Sequence, residues 1–420
     1  MTSSRRLRVA DYHVACITVI PEEYAAFKQM FDLTHGQPIG IDRGDQNQYE
    51  FGEVAGHNLV LCAAARSGTN NAAITATDFR RTFPELRFGL LVGISGGVPN
   101  GSCDIRLGDV VVAAPEGLSN GITHHDHGKQ LSDAFILLNY PLATPRVLEG
   151  AICTVQASDI LGTSTIPQII SAVTKKYPTF QRPDNEHDLL FKPAYEHVAG
   201  NPSCDKCAKE QLVERDPRER LVSHVHYGPI ASGNQVVKSA EKREFLRQSY
   251  GVYCIEMEAA GVIPTLPSLV IRGISDYADS HKNNRWQKYA ALAAAAYAKE
   301  LLSRISPSDT TSGGEVGSSG IAGQSAATIA RNPELEDLLE HRGRQTGARD
   351  WRSSIVDLLK VLGLKWDGAS RNDLAAILQV SEGLSGSAKR NNALRRALMD
   401  CLVVEDGDVV FPSNLDALRY

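Results

Sequence analysis

The sequence lacks the features that mark several classes of protein. No apolar run among its 420 residues reaches the roughly 18–20 residues that a membrane span needs. Residues 1–13 contain no apolar core of a secretory signal. The formal net charge of −5 argues against nucleic acid as a partner of the whole protein. These absences predict a protein without membrane or nucleic-acid partners.

Cysteine is not arranged as a disulfide framework. Six of the eight cysteines are scattered, several of them in apolar stretches, which is typical of buried thiols in a reducing compartment and predicts a cytoplasmic protein. The other two form Cys204-x-x-Cys207, with four histidines in the surrounding sequence: His187, His197, His224 and His226. One such pair is weak evidence for zinc, and a reduced pair in a polar segment is the alternative. We therefore predict no cofactor and keep Cys204 and Cys207 as a weak metal candidate.

Apolar runs alternate with helical patterns over residues 13–305. Buried strands are predicted at 13–20, 58–65, 89–94, 109–114, 229–233, 252–255 and 266–271, and helices at 24–31, 70–83 and 289–302. Strands that are apolar on both faces and alternate with helices indicate an α/β fold with a sheet covered on each side. The polar stretch 175–226 is predicted to be a long excursion from this domain.

Composition divides the remainder of the chain. Residues 1–12 are predicted to be an N-terminal tail, and residues 306–332, rich in Ser, Gly and Thr, a flexible linker. Leucines at helical spacing and a hairpin turning at Asp406-Gly407 predict a small, mostly helical domain over 333–420. This domain carries no cluster of nucleophiles or ligands, which favours an adaptor or regulatory role and makes it a candidate surface for a protein partner.

Acidic residues follow three of the predicted strands. They are Glu22 and Glu23, Glu256 and Glu258, and Asp276 and Asp279. Sites in open α/β sheets gather at the carboxyl ends of strands, and a buried carboxylate needs a partner such as a ribose hydroxyl. The alternatives are an acidic first helical turn for the first pair, a solvated helix start for the second and a turn cap for the third.

Glycines follow two strands, in Gly93-Ile94-Ser95-Gly96-Gly97 and Ser67-Gly68. Either segment is suited to close approach of a ligand to the backbone, and a plain turn is an equal alternative. Together with three carboxylates, such segments suit N-ribosidic cleavage, which needs an acid for the departing base, a carboxylate for water and a group that holds the sugar hydroxyls. The spacing by itself does not single out a nucleoside.

Residues 13–305 resemble the nucleoside phosphorylase superfamily, and within it the nucleosidase branch fused to defence and signalling proteins in fungi and bacteria. The stretches that carry the resemblance are CITVIPEEYAAF, RFGLLVGISGGVP, DIRLGDVVVA, HYGPIASGNQVVK, IEMEAAGV and VIRGISDYADSHKNNRWQKYAALAAAAYAKELL. The resemblance implies a three-layer α/β domain around a mixed sheet, which forms homo-oligomers. It also implies a purine nucleosidase, an N-glycosyl hydrolase.

The resemblance also implies roles for individual residues. Glu23 would activate water, Glu258 would hold the ribose hydroxyls with Met257 packed on the sugar, and Asp276 would protonate the purine or hydrogen-bond to it. The base pocket would contain Gln235, Val236 and Ser275, and the glycine motif Gly93, Ser95 and Gly96. Ser95 stands one position away from the usual serine, and the aromatic residue often found beside the base is absent.

Departures from the family pattern bear on the nucleophile and the substrate. Phosphorylases carry an arginine in the first strand-to-helix turn and another before the glycine motif, and this chain has PEEYAAF and Leu91 there, which favours water over phosphate. The segment Ser280–Trp286 resembles the one that closes over the nucleoside 5′ end. It carries Lys282, Arg285 and Trp286, to which Arg66 adds a cation, and cations suit a phosphorylated ribose.

We therefore expect an adenine nucleotide, ATP or AMP, as substrate and adenine as product, in the manner of the defence-associated relatives. The alternatives are a methylthioadenosine-type salvage nucleosidase, a phosphate-dependent phosphorylase and a non-catalytic nucleotide-sensing module. The C-terminal region from about residue 350 to 410 resembles a small bacterial domain of unknown function, which implies no activity.

Overall fold

The chain consists of two compact units, Met1–Glu315 and Val316–Tyr420. The boundary falls in the segment predicted to be a linker, of which residues 308–332 lie outside the described residues. The computed structural model describes residues 6–100, 103–116, 119–130, 135–137, 144–201, 203–218, 222–307, 333–348, 354–365, 367–378, 391, 394–395, 397–399, 402–405 and 408–410.

The first unit is built on a mixed sheet of eleven strands. The strands of this unit, including a separate two-stranded pair formed by β8 and β9, are β1 (Val14–Thr18), β2 (Leu33–Thr34), β3 (Gln48–Val54), β4 (His57–Ala63), β5 (Phe88–Gly97), β6 (Val110–Ala113), β7 (Ile122–His124), β8 (Gly128–Gln130), β9 (Phe135–Leu137), β10 (Val225–Gly228), β11 (Ile230–Ser232), β12 (Cys254–Glu256) and β13 (Ser268–Asp276). The main order is β10-β6-β13-β5-β1-β4-β3-β2, and β12 joins the end of β5, with β11 and β7 beside it.

Helices cover this sheet. They are α1 (Pro21–Lys28), α2 (Thr69–Thr82), α3 (Arg146–Ile160), α4 (Ile166–Lys176), α5 (Ala240–Tyr250), α6 (Ala259–Val262) and α7 (Gln287–Ser303). The Ala-rich helix α7 packs against β5, β6 and β13 and contacts α1, α3 and α4, while α2 packs against α6. None of the described helices combines the length and the hydropathy that crossing a membrane requires.

The α/β prediction is confirmed. All seven predicted strands and all three predicted helices have observed counterparts, and every residue of β1, β6 and β13 is buried, as expected of strands covered on both faces. The glycine segment differs from the alternative of a plain turn, because residues 94–97 continue β5 and pair with β12 and β13. Strand β5 is thereby long enough to carry its last residues to the edge where the other strands end.

The excursion at 175–226 has little regular structure. After α4, the described part of it contains four short 3₁₀ turns, at Pro178–Phe180, Asn185–His187, Cys204–Lys206 and Lys209–Gln211, before β10 begins at Val225. An ion-pair cluster fastens its end to β6, where Asp109 accepts hydrogen bonds from Arg218 (2.6 and 2.7 Å) and lies 2.9 Å from Nε2 of His226. Side-chain contacts, more than backbone pairing, hold this segment in place.

The second unit is small and mostly helical, as predicted. Its described elements are α8 (Pro333–Thr346), α9 (Ile355–Val361), α10 (Gly368–Ile377) and the antiparallel pair β14 (Val403–Glu405) and β15 (Asp408–Val410). Leucines from the helices form its core, among them Leu339, Leu358, Leu359 and Leu374. The turn predicted at residues 406–407 lies outside the described residues.

Candidate active site

Four neighbouring strands end at one edge of the sheet. Strand β1 pairs in parallel with β4 and β5, and β5 pairs in parallel with β13, so their carboxyl ends point the same way. A cavity of about 190 Å³ opens at this edge, and its lining includes Glu23, Glu258 and Asp276. The sheet topology thus brings together three carboxylates that lie more than 230 residues apart at their extremes.

Glu23 lies in the first turn of α1, directly after β1. It is 4 % exposed, and its two oxygens accept backbone N–H groups from Val19 (2.7 Å), Ile20 (3.1 Å) and Ile94 (2.8 Å). Burial raises the pKa of Glu23, while Arg272 and these N–H donors oppose the rise. The residue therefore caps its helix and also presents a buried, basic carboxylate to the cavity.

Glu258 follows β12 and takes part in a buried charge cluster. Its Oε2 lies 3.0 Å from the Arg272 guanidinium, and its Oε1 accepts the Gly68 N–H at 3.3 Å. Arg272 also binds Glu256, whose carboxylate accepts the N–H groups of Glu258 (3.0 Å) and Ala259 (3.1 Å). Burial raises the pKa of Glu258 to about 7, against the attraction of Arg272. One arginine thus holds two adjacent carboxylates in place beside the cavity.

Asp276 is the last residue of β13 and is 4 % exposed. Its Oδ1 accepts the Ala278 N–H (3.0 Å), and its Oδ2 accepts the Ser275 hydroxyl (2.8 Å) and the Lys282 ammonium (2.7 Å). All of these groups act as donors, so the surroundings are those of an ionised carboxylate. Lys282 is the partner that can withdraw, because its side chain is one quarter exposed and flexible.

The two glycines of the motif make this convergence possible. A Cβ atom at Gly93 would overlap the Glu23 carboxylate and the Arg272 guanidinium, and one at Gly96 would lie 2.7 Å from the Cβ of Ala278 and 2.9 Å from Asp276 Oδ1. Any larger residue at either position would push apart the groups that line the cavity. Close approach is therefore the role of this motif, as the sequence suggested, but the approaching groups are side chains of the protein itself.

Sequence comparison agrees with this geometry. The pattern described as the Phosphorylase superfamily matches residues 13–305. The chain belongs to the phosphorylase superfamily. This confirms the resemblance and the nucleoside phosphorylase-like fold. A second pattern, described as a domain of unknown function (DUF3597), matches residues 282–410, so the two matches share residues 282–305.

Three relatives illustrate the range of the superfamily. A nucleotide-binding leucine-rich repeat (NLR)-like protein of Hyaloscypha variabilis is 37 % identical over 373 residues, which cover 89 % of this chain but only 37 % of that protein. A 5′-methylthioadenosine/S-adenosylhomocysteine nucleosidase of Mycobacterium bovis is 25 % identical over 69 % of this chain and 95 % of its own length. The ATP nucleosidase Cap17 of Escherichia coli is 35 % identical over 79 residues, 17 % of this chain and 16 % of that protein.

In this phosphorylase-superfamily domain, the remaining cavity wall contains residues expected to touch base and sugar. Met257, Gln235, Val236, Ser275 and Ser95 all line the cavity. The loop that carries Gln235 and Val236 is fixed at its start, because Asn234 accepts the Thr69 N–H at 3.1 Å and donates its own N–H to Asp126 at 2.6 Å. The structure thus places the predicted base and ribose residues around one space.

The residues predicted for the 5′ end do not form one group. Lys282 points to Asp276, whereas the Arg285 guanidinium lies 2.6 Å from His187 Nε2 and lines a neighbouring cavity of about 240 Å³. Trp286 is 1 % exposed and donates its indole N–H to the His187 carbonyl at 3.1 Å. Arg66 is exposed and directly precedes the cavity-lining Ser67.

A histidine, His197, lies beside the two cysteines that the sequence suggests as a metal site. Ligand atoms of His197, Cys204 and Cys207 all lie within 4.8 Å of one another, the one such group found among the described residues. The other three histidines near the pair in sequence lie elsewhere: His187 contacts Arg285 and Trp286, while His224 and His226 contact Asp109.

Sequence reasoning missed Arg272 and the structural role of Glu256. Both residues are nearly fully buried, and their mutual ion pair orients Glu258. The available signal was an arginine inside the apolar strand LVIRGIS, since a buried guanidinium requires a carboxylate partner. The sequence shows the acidic pair at residues 256 and 258, but it does not show which carboxylate has a structural role and which one faces the ligand, because that depends on this arginine.

Proposed function

We propose that the chain is a purine nucleosidase that hydrolyses the N-ribosidic bond of adenine nucleotides, with ATP or AMP as substrate, and acts as a defence effector. The observation that carries the proposal is the convergence of Glu23, Glu258 and Asp276 on one cavity. N-ribosidic cleavage through an oxocarbenium-like state requires the three functions that these carboxylates supply. Nucleosidase relatives cover the same domain.

Each carboxylate has a role that its surroundings support. Glu23, with its raised pKa, accepts a proton from the attacking water as the new C1′–O bond forms. Glu258, oriented by Arg272, accepts hydrogen bonds from the ribose hydroxyls. Asp276 delivers a proton to the purine, which takes the electron pair of the breaking C1′–N9 bond and leaves as neutral adenine. Asp276, which accepts a hydrogen bond from Lys282 in the free enzyme, takes up that proton from solvent when the base displaces Lys282. Glu23 returns the proton that it removed from water to the solvent after the products leave.

Water is the nucleophile best suited to this cavity. Its described lining carries four carboxylates, Glu23, Glu256, Glu258 and Asp276, against the single ammonium of Lys282. Arg272 already binds two of the carboxylates. A free phosphate dianion would enter an excess of negative charge, and the described cavity lining contains no guanidinium to receive it, whereas water carries no such cost.

The 5′ phosphates of a nucleotide would lie at the mouth of the cavity rather than inside it. We assign them to Arg66, which is exposed and directly precedes the cavity-lining Ser67. The stretch of sequence shared with an ATP nucleosidase supports a nucleotide substrate. The NLR-like relative, which matches most of this chain, supports a defence role. In that role the C-terminal unit would couple the enzyme to a protein partner or a trigger.

The experiment is to measure adenine release by chromatography from ATP, AMP, adenosine and methylthioadenosine, with and without phosphate. We expect release without phosphate, with a higher kcat/KM for ATP or AMP. Asp276→Asn should lower kcat by about 10²–10⁴-fold, because the amide cannot supply the proton. The matched control is Asp159→Asn, which changes an exposed carboxylate on α3. This variant should be as active as the wild type.

Each other result contradicts a defined part of the proposal. Release that depends on phosphate would make the chain a phosphorylase, and preference for methylthioadenosine would make it a salvage enzyme. Binding of nucleotide without turnover would make it a sensing module. An Asn variant at residue 276 that retains full activity would remove Asp276 from the mechanism.

A further inference from the structure

A second site lies outside the cavity, in the excursion. Cys204 begins a 3₁₀ turn and Cys207 follows it, and the Cys207 N–H donates to the Cys204 carbonyl at 3.0 Å. This tight turn holds both sulfur atoms on the same side. Both thiols are free, and Cys207 is 7 % exposed. His197 lies seven residues before Cys204 in the sequence and brings its imidazole close to the two sulfur atoms.

The spacing of these atoms fits a tetrahedral metal. Zinc bound at its usual distances to sulfur and nitrogen separates neighbouring ligand atoms by about 3.5–3.8 Å. The ligand atoms of His197, Cys204 and Cys207 lie within 4.8 Å of one another before any metal draws them together. Two thiolates and an imidazole form a ligand set that selects zinc over magnesium or calcium.

His281 is the candidate for a fourth ligand, and its ring has to move towards the other three ligand atoms, because the group within 4.8 Å consists of His197, Cys204 and Cys207. His281 is 6 % exposed, and neither of its ring nitrogens has a hydrogen-bond partner among the described residues. Its ring lies 5.3 Å from the ring of His197, and its carbonyl lies 3.9 Å from Cys204 Sγ. Its Nδ1 faces Asp279 at 3.7 Å, beyond hydrogen-bond distance. A small shift of the ring would let Asp279 accept the Nδ1 proton, as carboxylates do beside metal-binding imidazoles, and leave Nε2 for the metal.

We propose that His197, Cys204, Cys207 and His281 bind a structural zinc ion. The ion fastens the excursion to the loop that follows Asp276, two segments also joined by the hydrogen bond from the His197 N–H to Ser280 Oγ (3.0 Å). Lys282 is the next residue after His281. The metal thus fixes the backbone that carries the cation on Asp276, although it lies outside the chemistry of N-glycosidic cleavage.

The first test is metal content. The full-length chain, purified under reducing conditions, should carry about one zinc per chain by mass spectrometry of the elements. Cys204→Ser and Cys207→Ser should lose it. Cys153→Ser, which removes an exposed thiol on α3, should keep it. Loss of metal from the Cys153 variant as well, or wild-type protein without zinc, would contradict the site.

A second test needs no variant and so does not depend on whether the variants fold. Wild-type protein stripped with a chelator and titrated with cobalt(II) should develop thiolate-to-cobalt absorption, and zinc should abolish it. Hydrogen exchange should quicken over 195–212 and 277–286 after stripping, and zinc should reverse the change, with β1 and β5 unaffected. Absence of the cobalt bands, or a Cys204–Cys207 disulfide found by mass spectrometry in the protein as purified, would overturn the proposal.

A third test concerns His281, the fourth ligand. His281→Ala should weaken zinc affinity at least about tenfold, as loss of a metal-orienting group does. Unchanged affinity would exclude His281 from the site.

Discussion

The carboxylates at the strand ends and the cations of the loop after β13 differ in what places them. Glu23, Glu258 and Asp276 each follow a strand of the central sheet, so the pairing of the strands decides that they meet. Lys282 and Arg285 are three residues apart, yet they reach different partners, Asp276 and His187 respectively. Arg285 lines the cavity of about 240 Å³ and Lys282 the cavity of about 190 Å³, and Asp276 lies on the wall between the two. Sheet topology brings distant residues together, whereas a loop separates near neighbours by its local hydrogen bonds.

The excursion shows the same contrast on a larger scale. Its described residues contribute no strand to the sheet before β10, and it is held by side-chain clusters around Asp109 and around His197. Such attachments depend on pH, metal and redox state. The strand-end site depends mainly on buried backbone pairing, which these conditions affect far less. The two regions should therefore respond differently to mutation and to solution conditions.

The largest expected effect concerns the strand-end site. Glu23→Gln should lower kcat by about 10³-fold, because an amide cannot accept the proton from water. It should also cost about 1–3 kcal/mol of stability, since the amide NH₂ would face backbone N–H donors that now bind the carboxylate. In the wild type, activity should fall with decreasing pH at a pH above the usual range of a glutamate, because burial raises the pKa of Glu23.

The neighbouring glutamate provides the control. Glu22→Gln changes the same helical turn without touching a buried carboxylate, and steady-state kinetics with calorimetric Tm values compare the two variants directly. Equal loss of activity in both variants would mean that the acidic turn acts through the helix N-terminus and that Glu23 has no special role.

The next prediction concerns the attachment of the excursion and its pH dependence. Burial alone would lower the pKa of His226, but its contacts with Asp109 and Cys103 raise it to about 9. The unfolded chain has the usual histidine pKa of about 6.5. Between about pH 6.5 and pH 9, the folded state therefore keeps a proton on His226 that the unfolded chain has lost. The stabilisation is complete below about pH 6.5 and is lost as the pH rises through about 9, by about 1–3 kcal/mol.

Urea unfolding of the wild type at pH 6.5, 8 and 9.5 measures this loss. His226→Gln should flatten the dependence, whereas His13→Gln, outside the cluster, should keep it. Asp109, the other member of the pair, loses its charge only at acidic pH. Burial would raise its pKa, but His226 and Arg218 lower it to about 2. Its contribution is thus present at every pH of this experiment. A wild-type stability that does not change across the alkaline range would show that the excursion is held by other contacts.

The same contrast explains how much of the molecule the sequence reveals. Apolar runs fix the strands, and carboxylates after them are visible as a pattern, so Glu23, Glu258 and Asp276 are accessible to prediction together with the α/β fold. Arg272 is harder to recognise, because its partners come from β12, which pairs with β5 and not with its own strand. The partners of Lys282 and Arg285 follow from hydrogen bonds such as that from the His281 N–H to Asp279 (2.9 Å), which no periodicity encodes.

The smallest expected effect separates the two loop cations. Lys282→Met removes the ammonium that the base must displace from Asp276, so it should raise kcat/KM by about tenfold or less for adenosine and AMP alike. Arg285→Met should leave adenosine turnover within about twofold, because its guanidinium contacts His187 and lines the neighbouring cavity. The measurement is kcat and KM for both substrates with each variant. If both cations instead bind the 5′ phosphate, each variant will raise KM for AMP and spare adenosine. That outcome would mean that Lys282, once displaced from Asp276, moves to the 5′ phosphate together with Arg285, and the loop would then rearrange on binding while the strand-end carboxylates stay in place.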